Sequence, residues 1–265
     1  WQDYTGASGS LTLNNSGTLK KSAGAGDFFF LNTGLNNSGS VDVQSGILAF
    51  GGGTGSSSGQ FKAAAGSEVV FVAGTQTLTD GATASGAGAL AVRNLNGSTG
   101  GTLMVSGAVQ AERLNLGYLG TLSGTGTLTL TGTGSQWTAG LMSGGGTTKL
   151  AAGAELTLSG NARKYLGNRT IENLGTLIEA STGDLVDFEG AAVLNNAGVF
   201  DIRSDTAWQD YTGASGSLTL NNSGTLRKSA GAGTFTLSVL AFNNTGSVEV
   251  ASGALKIGAN IFTAP

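Results

Sequence analysis

Apolar residues along this chain alternate with polar or small ones in short bursts and do not recur at helical spacing. Leu11-Thr-Leu13, Val41-Asp-Val43, Leu90-Ala-Val92, Leu103-Met-Val105, Leu114-Asn-Leu116, Leu128-Thr-Leu130 and Leu156-Thr-Leu158 each set two apolar side chains two residues apart. Period-two alternation puts such a pair on one face of a β-strand. The bursts are too short for independent helices or hairpins. What joins them is also regular: Asn-x-Gly-x-apolar, often continued by x-apolar. It occurs at Asn15/Gly17, Asn37/Gly39, Asn173/Gly175, Asn196/Gly198, Asn222/Gly224 and Asn244/Gly246, with adjacent copies 22, 23, 26 and 22 residues apart. These pairs are expected to be structural turns. The glycine would supply a positive φ at a corner. The asparagines would stack, each amide donating to one neighbour and accepting from another.

A coil of 20–26 residues cannot bury its own apolar face. Stacked coils can, with each strand bonded to its equivalents above and below. The expected fold is therefore all-β, a parallel β-helix or β-solenoid, right-handed because parallel crossovers overwhelmingly are. A β-sandwich has longer, hairpin-joined strands, and propeller blades repeat at about 40–50 residues. The expected core holds Leu11, Leu13, Leu19, Val41, Val43, Leu48, Leu103, Val105, Leu128, Leu130, Leu156, Leu158, Leu177, Val248 and Val250.

A second, longer repeat contains the first. Residues 1–26 and 208–233 differ only at Lys20 and Arg227, and residues 27–51 match 234–258 at 11 of 25 positions. The domain reading is one long unit over 1–207 and the start of the next over 208–265, in one continuous solenoid. At a strand spacing of about 4.8 Å, a 207-residue unit would rise roughly 40–45 Å.

Composition narrows the classes. Glycine is 47 of 265 residues and proline 1, which excludes collagen. Charged residues are 11 % and hydrophobic ones 39 %, the reverse of a disordered chain. A net charge of −3 leaves no electrostatic footprint for nucleic acid. Cysteine and histidine are absent, which removes thiolate metal sites and the commonest general base. No apolar run is long enough for a membrane span.

The Asn-Asn-Ser-Gly-Thr-Leu turns, the run Gly-Thr-Leu-Thr-Leu-Thr-Gly at 126–132 and the run Gly-Ala-Glu-Leu-Thr-Leu-Ser-Gly at 153–160 resemble secreted bacterial β-solenoids. The similar groups are haemagglutinin-like adhesins and autotransporter passenger stalks. The resemblance covers nearly the whole chain as texture and carries over no catalytic residue. It implies an extracellular or cell-surface place and a role in scaffolding or adhesion. The expected role is a stalk or filament segment with no enzyme activity and no cofactor. Its partners would be copies or continuations of itself end to end, or a glycan or cell surface. The alternatives are an adhesin binding through side loops and a polysaccharide-degrading enzyme. Similar short loops all round, with no long insertion to wall a cleft, weigh against the last.

Four further groups of residues carry candidate chemistry. Asp184, Asp187 and Glu189 could hold Ca²⁺ through hard oxygens, or simply form an acidic turn. Arg163, Lys164, Tyr165 and Arg169 form the densest basic patch, suited to acidic glycans or to a polar loop. Trp1, Trp137 and Trp208 could stack on sugars or plug coil corners. Phe28-Phe29-Phe30 breaks the alternation; Phe28, matched by Phe235, is the expected core ring, and Phe29 and Phe30 the surface contacts, together with Trp1 and Trp208. The threonines are too irregular from coil to coil for ice binding. The Asn-x-Ser/Thr triplets are by-products of the turns.

Overall fold

The computed structural model describes residues 11–95, 97, 99–183, 186–210 and 216–264, with only the backbone placed for 187 and 188. No helix occurs among the described residues. The chain winds as a β-solenoid of about 11 turns with about 22 residues per coil. Each coil contributes to three parallel ladders, here called faces 1, 2 and 3 in the order the chain visits them.

Face 1 is an 11-stranded ladder running from Thr18–Lys21 to Ala241–Asn244. Face 2 begins with the first half of the strand Asp27–Asn37, continues through Ile47–Gly52 and Glu68–Phe71, and ends at Ser247–Val250. Face 3 begins at Leu11–Asn15, takes the second half of Asp27–Asn37, and ends at Ala254–Ile257. The strand Asp27–Asn37 turns the corner between faces 2 and 3 at a register shift between Leu31 and Thr33, where Asn32 has φ 53°. One strand departs from the parallel rule: Asn260–Thr263 folds back antiparallel on Ala254–Ile257. The ladders cross residue 207 without a break, since strands 191–196, 199–202 and 207–209 pair directly with the strands of the second repeat copy.

Alternation decides what lies inside. On face 2 the inward column includes Leu48, Val69, Leu90, Leu114, Leu156 and Leu177, all 3 % exposed or less. Fully burying one such leucine stabilises by about 1.5–3 kcal/mol, so the columns supply the main driving force. Most of the expected core is buried as read. The exceptions occur near the ends of the ladders: Leu11 is 44 % exposed, and Leu13, Leu19, Val248 and Val250 are half-buried. Each coil side without a neighbour leaves its apolar column open.

The turn glycines correct one expectation. Gly17, Gly39, Gly175, Gly198, Gly224 and Gly246 do not have positive φ. Gly39, Gly175, Gly198, Gly224 and Gly246 need to be glycine because the coil below passes too close. A Cβ on Gly224 would lie 2.2 Å from the Gly198 carbonyl oxygen, and one on Gly246 would lie 2.1 Å from that of Gly224. Gly17 has none of the described residues within 4 Å of the same point.

Candidate functional site

The turn asparagines form two ladders of side-chain amides. In the longer one, Asn173 Nδ2 donates to Asn196 Oδ1 at 2.7 Å, Asn196 to Asn222 at 2.6 Å, and Asn222 to Asn244 at 2.7 Å. The second hydrogen of each donor goes round the corner to a backbone carbonyl of the next coil: Val199, Thr225 and Ser247 respectively. Each inner amide is thus used at both ends, as stacking predicted. Asn173 starts the run; its buried Oδ1 has no partner, because Leu150 precedes it in the column. The shorter ladder joins Asn15 Nδ2 to Asn37 Oδ1 at 2.8 Å and stops, since Ser57 follows Asn37. Outward asparagines repeat the pattern, Asn36 to Asn14 and Asn243 to Asn221 to Asn195.

The aromatic residues divide. Trp208 is fully buried, which removes it as a surface contact; its Nε1 donates to Glu179 Oε2 at 2.7 Å. Trp137 is buried as well. Trp1 lies outside the described residues. Phe30 is also corrected: it points inward and stacks on Phe50, which stacks on Phe71, with centroids 5.3 and 5.9 Å apart. Phe28 shares its side of the strand and occupies the core register opposite Leu48, yet it ends that stack and is 42 % exposed. Phe29 alone of the three faces outward.

The outward side of face 2 is unexpectedly apolar around Phe29. Ala49, Val70 and Ala91 form a small second cluster there, fully buried under Phe29, Ile47, Val72 and Leu95. Leu95 lies between the strands Ala89–Val92 and Gly101–Val105, and Asn94, Gly97 and Thr99 line the same side. The expectation of uniformly short loops fails here: Phe29 and Leu95 wall a groove of about 360 Å³. A second groove, of about 430 Å³, lies on face 3 between Tyr118, Leu119, Leu141, Arg163 and Tyr165. Tyr118 is 64 % exposed, and Leu119 behind it has φ 59°, a left-handed conformation that costs a leucine energy.

The basic patch does not exist as a surface. Lys164 and Arg169 are interior. Arg169 donates to Thr148 Oγ1 at 2.8 Å and to the Ser143 carbonyl at 2.9 Å, and burial lowers its pKa to about 10. Lys164 donates to the Ala162 carbonyl; burial lowers its pKa to about 8, against the opposing pull of Glu179. Burial also raises the pKa of Glu179, although Ser181 and Trp208 donate to its carboxylate. Glu179 and Trp208 are thus hydrogen-bonded inside the core, with the buried Lys164 ammonium attracting the same carboxylate. Strict alternation could have found this, since Lys164 is two residues from the inward Leu166 and Glu179 two from the inward Leu177. Charge pulled the reading outward instead.

Of the acidic trio, Asp184 and the Asp187 side chain lie outside the described residues, and Glu189 is exposed. Among the described residues no group of three metal-ligating side chains converges. The densest charge cluster lies elsewhere, on the outer side of face 2. Asp201, 1 % exposed, accepts from Arg227 at 3.0 and 3.1 Å, Arg203 at 2.8 Å and Ser229 at 2.6 Å. Burial alone would raise its pKa, but these bonds outweigh it and hold the value down to about 2.

In comparisons with family models, curated proteins and solved structures, the chain matches none.

Proposed function

We propose that this chain is a segment of an extracellular structural β-solenoid, a stalk or filament element whose work is reach and stiffness. One observation carries the reading: three parallel ladders run through the near-verbatim second copy with no interruption. Contacts that join only neighbouring coils let length be added by duplication. The interior is filled by side chains, and the ionisable groups inside are tied to backbone or to one another, which suits rigidity better than chemistry. Self-association or chain continuation end to end, and a bacterial cell-surface setting of the stalk type, belong to this proposal. Electron microscopy of the native full-length product tests it. Thin rods whose units rise by about 45 Å, as about 4.8 Å per coil requires, are the expected result; compact isolated particles would overturn it.

A second reading, adhesion to glycans, is favoured by the groove at Tyr118 and Tyr165. Two tyrosines beside Arg163 offer flat apolar faces with polar handles. Glycan-array binding that disappears in Tyr118→Ala would shift the weight to this reading.

A further inference from the structure

We infer that the 207-residue repeat is a rotational unit: the second copy begins one face further round the solenoid than the first, so identical surfaces point to different sides. The inference rests on strand register and is independent of the scaffold reading.

The two copies can be followed strand by strand. Residues 11–15 lie on face 3, where they pair with 33–37. Their copy, 218–222, lies on face 1, paired with 192–196. Residues 18–21 lie on face 1 and their copy 225–228 on face 2. Residues 40–43 lie on face 1 and 247–250 on face 2. Residues 47–50 lie on face 2 and 254–257 on face 3. Every element moves one face in the same direction.

The inward columns agree. The column that starts at Leu19 and Val41 climbs through Ala84, Leu130 and Asn173 to Asn222. The residue above Leu19 in that column is therefore the copy of Asn15, and not Leu226, the copy of Leu19. The amide pair Asn15–Asn37 on face 3 accordingly has its copy, Asn222–Asn244, on face 1.

The cause is arithmetic. With three strands to a coil, the chain makes nine whole coils on face 3 from strand 11–15 to strand 207–209, then adds one face more before the repeat resumes at 218. The unit thus rises about 45 Å and turns by roughly a third of a revolution, at about 4.8 Å per coil. Three tandem units, about 135 Å, would return to the starting face. A partner that recognises one repeated surface, such as the exposed Asn14/Asn36 amides and their copies Asn221/Asn243, meets the second copy on another side. A second rod docking through that surface cannot lie flat along one edge of the first.

The chain has no cysteine, so two spin labels can be placed without background. One goes on outward Lys149→Cys on face 1, and the second on either Asn221→Cys or Arg227→Cys. Lys149 and Asn221 share a column three strands apart, about 14 Å by the strand spacing. Arg227 sits on the next face, and its label should lie at roughly twice that distance. If the copies stacked face for face, the order would reverse: Arg227 would stand above Lys20 on face 1, and Asn221 would move to face 3. A shorter Lys149–Asn221 distance is expected; equal distances or the reversed order would overturn the inference. Glu249→Cys, one coil above Arg227 on the same face, repeats the reading without disturbing the Arg227–Asp201 bonds.

Discussion

Lys21 and Lys228 hold the same place in the two copies, and each turns its ammonium onto the carbonyls two and three residues ahead. Lys21 reaches Ala23 and Gly24, and Lys228 reaches Ala230 and Gly231. Between coils the likeness ends. Lys21 adds the Ser45 carbonyl above, whereas Lys228 adds the Asp205 carboxylate below at 2.7 Å. The single difference between the copies follows the same division. Lys20 stands on face 1, 3.9 Å from Asp42, while Arg227 stands on face 2 and grips buried Asp201 with two nitrogens. Structure within a coil follows the local sequence, and the Asn15–Asn37 amide bond recurs as Asn222–Asn244 on another face; the carboxylates held by Lys228 and Arg227 lie in the coil below, outside the repeated sequence.

Matched substitutions in the two copies would break this comparison, and the largest effect is expected at the turn glycine. Gly224→Ala drives a Cβ to 2.2 Å from the Gly198 oxygen and should cost about 3 kcal/mol, the upper part of the overpacking range. Gly17→Ala meets none of the described residues within 4 Å and should stay within about 0.5 kcal/mol. Urea unfolding of both variants checks the contrast, and equal losses would sink it.

Next comes the amide ladder. Asn222→Ala strips Asn196 of its acceptor and Asn244 of its donor, an expected loss of about 2 kcal/mol, as for buried groups left unpaired. Asn15→Ala touches only the edge of the short ladder and should cost less than about 1 kcal/mol. The same denaturation series reads both.

Acid sharpens the contrast at Asp201. Its folded pKa is depressed from 3.8 to about 2, so its contribution is full above the unfolded value and is lost as pH falls through the folded one. That is about 2 kcal/mol lost between roughly pH 4 and pH 2. Asp205 is lowered chiefly by its hydrogen bond from Lys228 and shifts in the same direction. Asp201→Asn should flatten this part of the stability–pH curve; an unchanged slope would show that the cluster contributes nothing. The smallest effect is expected from exchanging the one differing residue. Arg227→Lys gives up the two-nitrogen grip and should cost under about 1 kcal/mol, while Lys20→Arg should be neutral. Thermal unfolding of the two single variants compares them.

How much of this could be read beforehand follows from the same division. The coil, its turns and the stacking asparagines were legible because they depend on alternation and on a motif that recurs within about 22 residues. The glycine's role was misread because a close approach by the coil below is not a local property. Lys164, Arg169 and Phe30 were placed outside although alternation put Lys164 and Phe30 inside. The partners of Arg169 and Phe30, Thr148 and Phe50, become visible only once the coils are stacked. The groove beside Leu95 depends on that side chain packing with Phe29, Ile47 and Val72, and no periodic signal marks that.

The constant coil length also bears on how the chain reaches its structure. Most all-β folds pair strands far apart in sequence and gain those contacts slowly, after long loops have closed. Here partners across a ladder stand about one coil apart, from Leu11 with Thr33 to Lys228 with Val250. The separation does not grow as coils are added. A chain several times longer would close the same short loops at every step, each new coil settling on the one before, with no penalty in folding rate for its length.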